Sequence, residues 1–199
     1  VEPTTGMELV WIEGGCFQMG DTFGEGDADE KPVHEVCVDS FGMSQYEVTQ
    51  GQWQKIMGNN PSKFTKGHNY PVEQVSWFDT QDFIRRFNSQ SDKSFRLPTE
   101  AEWEKAARGS DSRYYPWGNE PDKTKANVRG KKDSHRYSSP VGLSPDGASP
   151  YGVLDMAGNA WEWTDADYAP YPNNTFQFED FNQGYKVIRG ASVSDIGHF

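Results

Sequence analysis

Arg96-Leu97-Pro98-Thr99-Glu100-Ala101-Glu102-Trp103-Glu104-Lys105-Ala106-Ala107-Arg108-Gly109 reads as one helix with both of its ends marked. Thr99 follows Pro98, and its hydroxyl can accept from an orphan backbone N–H of the first turn. Glu102, three residues on, can reach back to the cap. Trp103, Ala106 and Ala107 fall at three- and four-residue spacings and make one apolar stripe, and Gly109 is a stop.

Working outward, the same device recurs twice. Thr49 is followed by Gln52, then by Trp53, Ile56 and Met57, with Gly58 as the stop. Ser76 is followed by Asp79, then by Phe83, Ile84 and Phe87. Strand signals are shorter. Residues 8–12 and 16–19 flank Gly14-Gly15 and read as a hairpin about that pair. Residues 33–38 alternate apolar with polar, residues 43–48 are expected to continue the sheet, and residues 186–189 form a late strand. From 108 to 184 the chain is mostly Gly, Pro, Asn, Asp, Ser and aromatics. So long a stretch of irregular backbone needs something to tie it down, and aromatic packing or metal ions would do so.

The bulk numbers agree with a loop-rich globular domain. The chain has 199 residues, enough for one domain, with 34% hydrophobic and 14% aromatic residues and with 20 Gly and 12 Pro. Seven Trp and 12 Phe can bury much surface each, which excludes disorder. A net charge of −11 without a basic stripe argues against nucleic acid and anionic membranes as partners. It suits divalent cations. No apolar run approaches the ~18 residues that span a bilayer. The two cysteines, Cys16 and Cys37, form no CxxC, and the four His are scattered, so a zinc site of conventional spacing is not expected.

The stretch from Arg96 to Gly109 closely resembles the signature of the formylglycine-generating-enzyme, or sulfatase-modifying-factor, family. Other segments agree in order. They are Gly14-Gly15-Cys16-Phe17-Gln18-Met19-Gly20, Glu30-Lys31-Pro32-Val33-His34, Tyr46-Glu47-Val48-Thr49 and Pro71-Val72-Glu73-Gln74-Val75-Ser76-Trp77. Tyr115-Pro116-Trp117-Gly118-Asn119, Leu154-Asp155-Met156-Ala157-Gly158-Asn159-Ala160-Trp161-Glu162-Trp163 and Arg189-Gly190-Ala191-Ser192 complete the match. The resemblance implies an α+β fold, a variant of the C-type-lectin fold, with about three helices and short antiparallel strands. It implies a single domain over 1–199 whose C-terminal strand region lies beyond Phe199.

Asp155 and Glu162 flank Gly158-Asn159-Ala160, and a loop there can turn carboxylates and carbonyls toward one point. Six to eight oxygens at flexible geometry suit calcium better than magnesium or zinc. The other reading is that the two acids merely cap or pair within a tight turn. The resemblance implies calcium, held by the side chains of Asp155 and Glu162 and the carbonyls of Gly158 and Ala160. It also implies a second calcium at the side chains of Asn127 and Asp133 and the carbonyls of Val128 and His135, although Lys131 and Lys132 bring positive charge into that loop.

The family's namesake reaction oxidises a substrate cysteine with O₂ and copper, the metal held by two cysteines that follow the glycine-rich motif. Here the first of those positions falls near Ser194 or Asp195, without a thiol, so copper is not expected. Cys16 and Cys37 lie on neighbouring strand candidates and read as a disulfide or as two buried thiols. A disulfide would favour an extracytoplasmic, periplasmic or secreted, location.

The expected function is therefore a calcium-stabilised binding or accessory module without formylglycine-generating activity. Its partner, a protein, peptide or small molecule, would meet the aromatic-rich loop 165–185, which carries Tyr168, Tyr171, Phe176, Phe178, Phe181 and Tyr185. The alternative is a metal-dependent oxidoreductase of the same family, with catalytic groups in a further tail or a partner domain.

Overall fold

The computed structural model describes residues 1–128 and 137–192. Three helices stand where the caps place them: α1 at Gln50–Met57, α2 at Trp77–Asn88 and α3 at Glu100–Arg108. Each opens on a reciprocal capping box, formed by Thr49 with Gln52, Ser76 with Asp79, and Thr99 with Glu102. Gly58 closes α1 in the left-handed region (φ 79°), where its N–H donates to the Gln54 carbonyl.

Six short strands pair antiparallel in twos. They are β1 Leu9–Ile12, β2 Gly15–Met19, β3 His34–Val38, β4 Phe41–Ser44, β5 Glu162–Asp167 and β6 Lys186–Arg189. The hairpin expected about Gly14-Gly15 is not there: β1 pairs with β4, and β2 with β3. The register explains why. Ile12 faces Phe41 and Gly15 faces Val38, so the two ladders are halves of one long ribbon with a short break between them. Gly14 sits at the break because the opposite strand crosses it closely; a Cβ there would meet the Ser40 nitrogen at 2.6 Å and the Val38 carbonyl oxygen at 2.7 Å. The ribbon's end connection runs instead through residues 20–33, an acid-rich segment.

The strand expected over 43–48 also ends early, at Ser44. Beyond it the chain leaves the ribbon for other partners. The Gln45 carbonyl accepts from Leu154 N–H (2.9 Å), and the Val48 carbonyl accepts from Val72 N–H (2.9 Å). This detour carries Glu47 toward the loop at 155–162.

The apolar stripes pack into two main clusters. Trp103, Ala106 and Ala107 of α3 meet Ile12, Val153 and Met156. Trp53 and Ile56 of α1 meet Met7 and the Phe83 and Phe87 of α2, with Trp53 stacked on Phe83 at 5.0 Å between centroids. β5 was not anticipated, because Trp163 and Ala166 are the only apolar residues of Glu162–Asp167 and only Thr164 is fully enclosed. Cys16 and Cys37 are directly opposite in the β2–β3 ladder and disulfide-bonded, on an exposed face rather than buried. Among the described residues no helix is long and apolar enough to cross a membrane.

Candidate metal centre and ligand cleft

The loop 155–162 is shaped by two non-glycine residues in the left-handed region, Asp155 (φ 62°) and Asn159 (φ 73°). Short-range bonds hold that shape. Asp155 carbonyl accepts from Gly158 N–H (3.1 Å), and the Asn159 N–H donates to the Asn127 carbonyl (3.0 Å). The Asn159 side-chain oxygen accepts from Ser139 N–H (2.9 Å) and from the Asn127 amide (3.1 Å). Gly158 has no room for a side chain, since a Cβ would stand 2.8 Å from the Asn127 carbonyl oxygen.

Of the expected first set, Asp155 is buried and accepts from the Gly142 N–H. Glu162 begins β5 and accepts from Trp103 Nε1 of α3 (3.1 Å). The Gly158 carbonyl lies inside the turn, accepting from Ala160 N–H (3.0 Å), and the Ala160 carbonyl points to the side of the loop that faces Gly190. Of the second set, Asn127 and Val128 are buried, the former bonded to Asn159. Asp133 and His135 lie outside the described residues.

Sequence reasoning missed Glu47. Both of its carboxylate oxygens are shut off from solvent without a hydrogen-bond partner. Its own backbone N–H and the Asn159 side chain lie close enough to favour its charge without reaching good bonding geometry. Burial, then the negative charges of Asp155 and Glu162, push the Glu47 carboxyl well above the usual carboxylate range. Glu162 is raised as well, by burial first and by Asp155, against the lowering effect of the Trp103 bond. A buried carboxylate normally finds a donor or a cation. The available signal was an acid just ahead of Thr49, at a place the α1 cap does not use.

The donor chemistry fits a hard divalent ion: the carboxylates of buried Asp155 and of partly buried Glu47 and Glu162, with two turn carbonyls, all oxygen. Their spacing is open, for the one trio of ligating side chains among the described residues with donor atoms all within 4.8 Å is Cys16, Glu35 and Cys37. Those two thiols are joined to each other.

A cleft of about 1000 Å³ lies between the 20–30 connection, α3, β6 and the 168–190 segment. Its floor is a buried ion network. Glu104, only 1% exposed, accepts from Arg108 Nη1 (2.7 Å), from Gly20 N–H (3.0 Å) and from Arg189. Burial alone would lower the Arg189 pKa; Glu104, Tyr171 and Glu100 outweigh that and raise it. Tyrosine hydroxyls from the facing walls donate to acids of the 20–30 connection: Tyr114 to Glu25 (2.7 Å) and Tyr168 to Asp29 (2.6 Å). The Glu25 bond, with burial, pushes Tyr114 up to about 12.

The aromatic loop divides its residues between two tasks. Tyr168, Phe178 and Phe181 pack on one another, with Phe181 buried. Tyr168, Tyr171 and Tyr185 line the cleft, while Phe176 and Phe178 stay half-exposed.

The family model described as the sulfatase-modifying factor enzyme 1-like domain matches residues 1–197. The hercynine oxygenase of Mycobacterium tuberculosis is 31% identical over 82% of this chain and 48% of its own length. The inactive C-alpha-formylglycine-generating enzyme 2 of Bos taurus is 27% identical over 95% of this chain and 77% of its own. Among solved structures, PvdO from Pseudomonas aeruginosa superposes with a TM-score of 0.76 at 28% identity, over 95% of this chain and 83% of that one. The chain spans only 32% to 53% of the length of the first curated relatives it matches.

Proposed function

Because this chain belongs to the sulfatase-modifying-factor family, we propose that it is a calcium-stabilised binding or accessory domain which does not generate formylglycine. Glu47 carries the calcium assignment. Its two enclosed, unpartnered oxygens beside Asp155 and Glu162 make a site that a divalent cation would relieve. Side chains of Glu47, Asp155 and Glu162 would hold the ion, with the carbonyls of Gly158 and Ala160. The bound ion would supply charge compensation and fix the loop to β5 and to the segment before α1. A second calcium would use Asn127, Val128, Asp133 and His135. The cysteines support the lack of formylglycine-generating activity, since the two in the sequence are bonded to each other on the ribbon and are not the copper-holding pair of the namesake reaction. The same bond favours an oxidising, extracytoplasmic setting. A ligand would enter the cleft beside the aromatic loop 165–185, and a protein, peptide or small molecule would suit its size.

Calcium titration of the purified domain tests the metal assignment. At a hundredfold excess over Kd an ion that binds only the folded chain stabilises by about 2.7 kcal/mol, or roughly 5–10 °C in Tm. Glu47→Gln is expected to weaken calcium binding at least about tenfold, since a charged ligand is replaced by a neutral one. No thermal shift with calcium, together with no calcium in the dialysed protein, would sink the assignment.

The likeness to a hercynine oxygenase favours a second reading, a metal-dependent oxidoreductase completed by groups outside this chain. Stoichiometric iron or copper in the purified protein would select that reading over the first.

A further inference from the structure

We infer that the outer face of the β2–β3 ribbon is a redox-controlled zinc site. When a dithiol cleaves the Cys16–Cys37 bond, the two thiolates and the Glu35 carboxylate take up a Zn²⁺ ion. The site is separate from the oxygen donors around Glu47 and from the ligand cleft.

The ladder brings the three side chains together. Cys16 faces Cys37 and Gln18 faces Glu35, in a register of five opposed pairs that runs from Gly15 with Val38 to Met19 with His34. Side chains alternate across a strand, so Cys16, Glu35 and Cys37 share one face. All three are exposed, whereas Phe17 and Met19 on the other face are buried. One ligand atom from each of the three lies within 4.8 Å of the other two. Among the described residues the Glu35 carboxylate is engaged by no ion pair or hydrogen bond. The bond is not needed to hold this arrangement. The backbone ladder remains without it, and the inner face stays anchored by the enclosed Phe17 and Met19, with Lys105 of α3 over the Phe17 ring at 5.6 Å. Residues directly opposed in a ladder have Cβ atoms about 4.5–5.5 Å apart. Two sulfurs on one tetrahedral zinc, each at about 2.3 Å, stand about 3.8 Å from each other, which such a pair reaches by side-chain rotation.

The ligands select the metal. Thiolates are soft donors, unsuited to calcium and magnesium, which take oxygen. Zinc accepts sulfur and carboxylate oxygen in one tetrahedron, and on this exposed face the fourth corner is open to water. Exposure also admits the reductant. A dithiol supplies two electrons and two protons; the S–S bond breaks, Cys16 and Cys37 become thiols, and the dithiol becomes a disulfide. Zinc then displaces both thiol protons. A small-molecule disulfide that accepts the two electrons becomes two thiols, restores the Cys16–Cys37 bond and expels the ion. A covalent cross-link is thus exchanged for a coordinate one across the same two strands, and the zinc supply decides whether reduction loosens the ribbon.

For the test, the whole chain is reduced with a phosphine, held in saturating calcium, and titrated with Zn²⁺ against a chromophoric chelator. The reduced chain is expected to take about one zinc and to hold it at least about a hundredfold tighter than the oxidised chain does. Cobalt(II) in place of zinc should give an intense thiolate-to-metal charge-transfer band, which the oxidised chain lacks. Glu35→Gln, at an exposed position, should keep that band and lose about tenfold in zinc affinity. The Cys16→Ser, Cys37→Ser double variant should lose both, and a circular dichroism spectrum matching the reduced parent shows that it is folded. In hydrogen exchange, zinc should return to β2 and β3 of the reduced chain the protection that reduction removes. The inference is overturned if reduced and oxidised chains bind zinc within about twofold of each other, if the cobalt complex shows no thiolate band, or if Glu35→Gln matches the parent. About half a zinc per chain, with dimer formation, overturns it as well, because the ion would then lie between two copies.

Discussion

Glu104 shows how a charged residue can serve as core. Its carboxylate accepts from Arg108, Arg189 and the Gly20 N–H, joining α3 to β6 and to the start of the 20–30 connection. Nothing in the spacing of Trp103, Ala106 and Ala107 foretold this. The apolar stripe accounts for one face of α3, yet Glu102, Glu104 and Lys105 are buried too. Lys105 reaches over the Phe17 ring at 5.6 Å, and Glu102 takes both Arg96 guanidinium nitrogens. Periodicity reads hydrophobic burial; it is blind to charges that are buried in pairs. Removing Glu104 leaves two arginines partly buried and facing each other, which costs about 3–5 kcal/mol by analogy with broken buried pairs. Glu104→Ala should therefore show a large drop in urea midpoint, and Glu104→Gln, which keeps acceptor and volume, a smaller one. Equal midpoints for Glu104→Ala and the parent would show that the network carries no stability. Glu47 belongs at the same scale. It stood in a recognised motif, but only its enclosure among other acids gives it a role.

At the scale of elements, local rules worked where the partner was local. A cap needs only residues within one turn, so all three helix starts were legible. The ribbon was legible as strands and not as a pairing. Gly14-Gly15 has turn chemistry, but long-range register with residues 34–44 decided its use. That register makes Cys16 and Cys37 direct neighbours. By chain entropy, a link with a sequence separation of 21 stabilises by about 3 kcal/mol. Reduction, or the Cys16→Ser, Cys37→Ser pair, should lower stability by up to about that amount. Hydrogen exchange should quicken chiefly in β2 and β3, with α1 and α2 keeping their protection. Uniform quickening across all helices would mean that the disulfide holds the whole domain rather than the ribbon.

For the molecule as a whole, the question is what orders so much irregular backbone. Between α3 and β5 the described chain has no strand and only one short 3-10 turn, Pro145–Gly147. Three kinds of tether hold it: backbone bonds such as Val141 N–H to Asn69 carbonyl (2.9 Å), the enclosed Asn127–Asn159–Ser139 cluster, and the Val153–Met156 contact with the α3 cluster. The acids around Glu47 repel one another. If calcium resides there, a chelator should raise amide exchange over residues 139–162 and leave α1 and α2 nearly unchanged. Unaltered exchange at 139–162 after complete calcium removal would show that the other tethers suffice.

By itself the sequence determined the family, the three helix starts and the apolar stripes, because each is written within a few neighbouring residues. Only the tertiary structure decided that Gly14 lies at a crossing, that Glu47 joins Asp155 and Glu162, and that Glu25 and Asp29 are held by tyrosines across a cleft. These are meetings between segments far apart in the chain. Burial and charge at such meetings depend on where the backbone carries each group, and no local pattern encodes that.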